Sequence, residues 1–398
     1  MIEEVKKEQK PPKKSSRFYR FLAFLVTVGL VAGAVGVVAN RDKLNFDALR
    51  RFFTYRTTTQ DSVGATEPFP YEGGISSSFA DLGGDLLCAS TSGFRLYSPS
   101  GNAYLEETLS LSNPVLRTSG NAAVVYDAGG TQLRVYRDRE AVFSLTPEDG
   151  VILSASLSSD QWLSVITRAT GFKGVVTIYN DKFERVMAFR VSSSYLLGAM
   201  ISPDHKSVAV LTAGQNGHAF ESTLVTYSMS ATEAEVATEL KPQASLSLGN
   251  CVPLDLRWQN RTLQVLTEYG LLSCPDSLDS PARYDWTDRH LKGFSLDGDD
   301  FSAVLLGKYR AGSQAQLMTL DAGGAPIATL DTDHQVLSLS AAGRYLAVLT
   351  ADRLDIYTKD LTLYASLEGT QSARKVVMRP DGTALLVGSE SVRVYIPV

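Results

Sequence analysis

A short strand-like segment ending in an aromatic or apolar residue returns eight times down this chain, about forty residues apart. The copies are Phe94-Arg95-Leu96-Tyr97, Leu133-Arg134-Val135-Tyr136, Val176-Thr177-Ile178-Tyr179, Leu224-Val225-Thr226-Tyr227, Leu271-Leu272-Ser273-Cys274, Leu317-Met318-Thr319-Leu320, Leu354-Asp355-Ile356-Tyr357 and Val392-Arg393-Val394-Tyr395. A period of roughly 40 to 45 residues built from short strands is how radial repetition reads in sequence, one blade of a β-propeller per copy. Upstream of each copy lies a second apolar run, entered through a polar turn: Ser207–Thr212 follows Ser202-Pro203-Asp204, and Thr383–Val387 follows Pro380-Asp381-Gly382. Gly in such turns supplies the positive φ that a tight hairpin needs. Downstream come further strand-prone runs, Ala141–Leu145, Val186–Phe189, Pro326–Leu330 and Tyr364–Leu367, and runs such as Val336–Leu339 precede the turns. Four antiparallel strands per repeat make one blade.

The second-strand positions near Leu87, Val124, Leu163, Ala209, Val265, Val304, Ala347 and Leu385 are unevenly spaced. The widest gap, between Ala209 and Val265, places an insertion in the fourth repeat, at Ala213–Gly217 and Ala231–Glu239. The fifth repeat, with Pro275–Trp286 after its anchor, is the weakest match. The fold expected is all-β, an eight-bladed propeller with seven blades as the alternative. The last repeat stops at Val398 directly after its third strand. An open seam would leave unpaired backbone groups at a sheet edge, so the missing outer strand is expected from the segment Pro68 to Ser78.

Residues Phe21 to Ala39 carry no charge and, as a helix, reach about 28 Å, close to a hydrocarbon core. Phe18 and Tyr19 sit at an interfacial position. Lys6, Lys7, Lys10, Lys13 and Lys14 precede the run, which favours a cytoplasmic N-terminus and a translocated propeller. The rival is a cleavable signal peptide ending at Ala32-Gly33-Ala34, but the apolar run continues past that site. Beyond it, Phe46, Leu49 and Phe53 share one helical face, with Asn45 as N-cap, and Thr57–Thr66 reads as a polar linker. The expected organisation is a basic tail (1–20), a transmembrane helix (21–40), a juxtamembrane amphipathic helix and linker (41–66) and the propeller (67–398).

Chemistry is hard to find in these residues. His205, His218, His290 and His334 are dispersed, and His205 falls in a surface turn. Asp127-Ala128-Gly129-Gly130 and Asp321-Ala322-Gly323-Gly324 are strand-connecting turns. Asp297-Gly298-Asp299-Asp300 lacks the ligand spacing of a calcium loop. Cys88 and Cys274 fall in apolar strands, and Cys251 and Cys274 would lie near opposite ends of one blade, which disfavours a disulfide. No catalytic, cofactor-binding or metal-binding residue is expected, and no cofactor. Net charge is −5 and the lysines beyond residue 60 are scattered, which argues against nucleic acid as a partner.

Three stretches carry a closer likeness: Leu49–Arg56 with Phe69-Pro70, Val124-Val125-Tyr126-Asp127-Ala128-Gly129-Gly130, and Leu386–Tyr395. They resemble a family of bacterial membrane-anchored β-propellers of unknown function, similar in turn to the WD40-like and quinoprotein-like propellers. The resemblance covers essentially the whole chain and implies no catalytic residue. It implies a single-pass membrane protein; the propeller is expected to be extracytoplasmic and, since loops on a rigid scaffold commonly carry recognition, to bind or scaffold an envelope protein, a peptide or a glycan. The alternative is a propeller enzyme (hydrolase, lyase or quinone-dependent dehydrogenase) with its site at the central channel; only three Trp weaken the quinone version.

Overall fold

Short β-prone runs separated by Gly, Asn and Asp turns fold, in the computed structural model, into thirty-two strands among the described residues, arranged as eight four-stranded antiparallel sheets. The structure describes residues 21–22, 24–29, 31, 46–56, 58–229, 240–259 and 261–397. Blade 1 comprises β2 (Ser78–Leu82), β3 (Asp85–Ser90), β4 (Gly93–Tyr97) and β5 (Ala103–Thr108); blade 2 comprises β6 (Pro114–Ser119), β7 (Ala122–Asp127), β8 (Leu133–Arg137) and β9 (Glu140–Leu145). Blade 3 holds β10 (Ile152–Leu157), β11 (Leu163–Thr167), β12 (Gly174–Tyr179) and β13 (Arg185–Val191), and blade 4 holds β14 (Tyr195–Ile201), β15 (Ser207–Asn216), β16 (Ala219–Ser228) and β17 (Ala244–Gly249). Blade 5 is β18 (Pro253–Gln259), β19 (Thr262–Thr267), β20 (Gly270–Cys274) and β21 (Ala282–Asp285), and blade 6 is β22 (His290–Gly298), β23 (Phe301–Gly307), β24 (Ala315–Asp321) and β25 (Pro326–Thr332). Blade 7 runs through β26 (Ser338–Ala342), β27 (Tyr345–Leu349), β28 (Arg353–Thr358) and β29 (Leu363–Glu368); blade 8 has β30 (Ala373–Met378), β31 (Ala384–Gly388) and β32 (Ser391–Tyr395).

First strands of successive blades approach one another, and β30 of the last blade approaches β2 of the first, so the sheets close into a ring with the first strands innermost. The second strands are buried along almost their whole length, as in Ala122–Asp127 and Phe301–Gly307. Fourth strands alternate with solvent, as in Ala103–Thr108. Each apolar cluster joins facing sheets: Phe94 and Leu96 of blade 1 pack with Ala123, Val125 and Tyr136 of blade 2. The core is therefore a circle of inter-blade layers, each sheet buried on both faces and exposed at its outer strand.

The eighth blade is completed by β1 (Phe69–Pro70), which pairs with Val392 and Ser391. The closing segment starts earlier than Pro68. Thr66 N–H donates to the Val394 carbonyl, Ile396 N–H to Gly64, and Tyr71 N–H to Glu390. The other end of the expected stretch does not belong to blade 8, because Ser78–Leu82 is the innermost strand of blade 1, turned onto β3 by Gly83 and Gly84, both at positive φ. The expected linker is ordered from Gln60: the Asp61 carboxylate accepts the N–H groups of Val63 and Ala65, and Ala65 is buried. The run Val336–Leu339 also shifts, its strand beginning at Ser338.

The fourth-repeat insertion shows in β15 and β16, ten residues each, paired out to Asn216↔Ala219; residues 230–239, its other expected location, lie outside the described residues. The fifth repeat forms a regular blade. The residues before Thr57 make a separate unit, in which a helix runs over Phe46–Thr54. Residues 21–22, 24–29 and 31 are helical. Among the described residues no helix is long and apolar enough to cross a membrane. The rest of the expected span, residues 23, 30 and 32–40, and the basic tail lie outside the described residues.

Candidate functional site

Strand direction divides the ring's loops between two faces. The turns between first and second strands, and between third and fourth, lie on one face, where the chain also enters before Phe69 and leaves after Tyr395. The turns between second and third strands, and the connections from one blade to the next, lie on the opposite face.

That opposite face is uneven. Twelve large apolar side chains beyond residue 57 are exposed among the described residues, and seven of them gather here on three consecutive blades. Tyr195 and Leu197 open β14, and Phe220 lies on the projecting β15–β16 hairpin. Val252 and Leu254 lead into β18, while Tyr269 and Tyr309 occupy the turns after β19 and β23. Of these, Tyr309 is 61 % exposed, Tyr195 58 % and Tyr269 55 %. Val63, Tyr104, Val142, Ile327 and Leu363 are scattered singly, which is ordinary for a protein surface. Exposed apolar side chains gathered on one face of consecutive blades are the kind of surface at which interaction sites are found.

Cations are set among these rings. The Lys173 ammonium lies 4.2 Å from the Tyr195 ring centroid and donates to its hydroxyl at 3.0 Å. This hydrogen bond holds the phenol below its ordinary pKa. Arg190 lies over Phe172 at 5.2 Å and Lys308 over Tyr309 at 5.6 Å. Between the turn after β23 and the lead into β26 opens a cleft of about 280 Å³, with Leu305, Ala315 and Val336 as apolar lining and Lys292, Arg310, Ser313 and Gln335 as polar lining.

The central channel carries a second set of charges. Arg117 of β6 reaches Asp255 of β18 at 3.5 Å, joining blades 2 and 5, and Arg257 pairs with Asp297 of blade 6. Burial pushes the Arg257 guanidinium below its usual value; Asp255 and Asp299 oppose the shift and Arg117 adds to it. Arginine remains charged regardless. These groups neutralise one another across the axis, so what converges there is a set of ion pairs.

The positions weighed in the sequence fall as follows. His205 sits in the β14–β15 turn at positive φ, stacked on Trp162 at 4.1 Å and paired with Asp160, a contact between blades 3 and 4. Asp297 and Gly298 end β22 and Asp299-Asp300 form the turn to β23, where Asp299 N–H donates to the Gly343 carbonyl of blade 7 at 2.6 Å. Among the described residues no three His, Cys, Asp or Glu side chains gather as metal ligands. Cys88, Cys251 and Cys274 are free and buried.

Sequence reasoning missed both the arc and the channel pairs. A signal existed for each once blades are assigned: bulky residues in turns that should be polar (Phe220, Tyr269, Tyr309), and charges on innermost strands (Arg117, Asp255, Arg257).

Among solved structures, the chain is similar to the C-terminal WD40 domain of Sif2, with a TM-score of 0.59 and 16 % identity over 85 % of this chain and 100 % of that one. It is also similar to a eukaryotic initiation factor structure, at TM-score 0.53 and 13 % identity over 85 % and 87 %. The Dos1 propeller matches at 0.53 and 10 %, over 83 % and 95 %. At these identities the likeness is one of fold. No curated protein matches the sequence. A family model spans residues 54–394, from the end of the Phe46–Thr54 helix through β32, and the chain therefore belongs to the family of unknown function DUF5711.

Proposed function

We propose that this protein is a membrane-anchored, extracytoplasmic propeller of a bacterial envelope, acting as a binding or scaffolding module. One observation carries the binding part: the seven exposed apolar side chains on one arc of blades 4–6. Loops held on a rigid ring are well placed for recognition, and tyrosine supplies large contact area at low entropic cost. A protein or peptide partner suits such a surface, and WD40-like propellers commonly serve protein interactions. The anchoring part is supported by the charge-free run Phe21–Ala39 and the lysines before it.

Protease treatment of intact cells carrying a C-terminally tagged chain tests the topology. Loss of the tag, with a cytoplasmic control untouched, is the expected result. Full protection would reverse the orientation and make a cytoplasmic scaffold the better reading, with the arc unchanged.

A further inference from the structure

The cleft at the end of the arc is built for negative charge. Its polar lining includes two cations, Lys292 and Arg310, together with Ser313 and Gln335, and no carboxylate. Lys292 is held in place: its stem crosses Gly307, where any Cβ would collide with it, and its ammonium donates to the Gly312 carbonyl. An ammonium has three donors, so others remain for a ligand. Arg310 is exposed and adjoins Tyr309, which is exposed on the same face as Tyr269 and Leu254.

We propose that this cleft receives a carboxylate side chain of an extended, acidic protein segment whose apolar residues lie along Tyr309, Tyr269 and Leu254. The inference rests on the binding-module reading and adds the chemistry of the partner. Glu268, Asp288 and Asp333, on the same face, favour a protein segment over an anionic bilayer. A lipid surface presents negative charge everywhere and would meet those carboxylates, whereas a peptide can place each charge separately. The β15–β16 hairpin, projecting past the last rung shared with β14 at Tyr195↔Ala213, walls the other end of the arc.

The test uses the purified full chain in neutral detergent and three fluorescein-labelled twelve-residue peptides read by anisotropy. One alternates Glu with Leu and Phe; in the others every Glu is Gln or Lys. The acidic peptide is expected to bind at least tenfold more tightly than the Gln peptide, and the Lys peptide not to bind measurably. K292Q/R310Q, at a half-buried and an exposed position, should bring the acidic peptide to the level of the Gln peptide while the protein keeps its β-sheet circular-dichroism spectrum and a cooperative melting transition. Y269S/Y309S should weaken both by at least tenfold. Equal binding of the Glu and Gln peptides, still lost in Y269S/Y309S, would overturn the acidic specificity and leave the binding arc standing. Absence of binding by all three, or indifference to both variant pairs, would remove the arc as well. Displacement of the acidic peptide by phosphatidylglycerol bicelles but not by phosphatidylcholine bicelles would overturn the proposal in favour of a lipid surface.

Discussion

Arg379 is 1 % exposed, yet it carries a full charge at the junction of the last and first blades. Its Nε donates to Asp81 Oδ1 at 2.6 Å and its Nη2 to the Gly84 carbonyl, so a side chain of blade 8 is held by blade 1. Burial raises the Asp81 carboxyl above its ordinary pKa, and Arg379 pulls it back down. Such a pair is weak evidence of net stability, but removing one partner strands the other. Arg379→Ala should therefore lower the unfolding free energy by about 3–5 kcal/mol, measured by urea denaturation. Loss under 1 kcal/mol would mean that the seam does not depend on this pair. Neither residue stands out in the sequence, since an Arg before Pro-Asp-Gly reads as an ordinary turn. Its role exists only because the ring brings residue 379 beside residue 81.

At the scale of elements, repeated blades were legible because each strand carries its own signal. All eight second-strand positions read from the sequence fall within the second strands of the structure. The closing strand was legible in kind, through the missing fourth strand, and displaced in detail, because β1 pairs over only two residues and takes further bonds from Gly64, Thr66 and Tyr71. Two residues of strand have no periodicity to read. Phe69 is buried and packs over Gly101, where an added Cβ would collide with its ring. Tyr71 donates from its hydroxyl to the Gly388 carbonyl at 2.9 Å. Removing residues 58–71 should expose the outer edge of β32 and lower the melting temperature by 10 °C or more. At roughly 2–4 °C per kcal/mol, the scale for domains of 150–250 residues, this corresponds to losing about 3–5 kcal/mol. A melting temperature within 2 °C of the parent would show that β1 adds nothing to closure. The arc resisted a sequence reading for a different reason: Tyr195, Phe220, Tyr269 and Tyr309 become neighbours only when the face on which each turn emerges is known.

Considered whole, the ring has no place to begin unravelling once its seam is shut, because each blade is covered on both sides by the next. The cysteines offer a way to observe this. Cys88 lies in blade 1, while Cys251 and Cys274 lie beside and within blade 5, on the far side of the ring. Burial pushes the Cys88 thiol up to about 11 and the Cys274 thiol up to about 12, and raises Cys251 too. A raised thiol pKa leaves less of the reactive thiolate, so native protein should resist Ellman's reagent from pH 7 to pH 9. In rising urea all three thiols should become reactive together, at the midpoint of the fluorescence transition. Earlier release of Cys88 would mean that the seam opens before the rest. Closing the circle with a strand from the start of the chain and one from its end also sets an order of events during synthesis. Phe69 and Pro70 leave the ribosome more than three hundred residues ahead of Ser391 and Val392. At about 5–20 residues per second they wait from roughly fifteen seconds to a minute for their partners. Throughout that interval the nascent blades form an open arc with two bare ends, and the circle closes only once β32 has emerged.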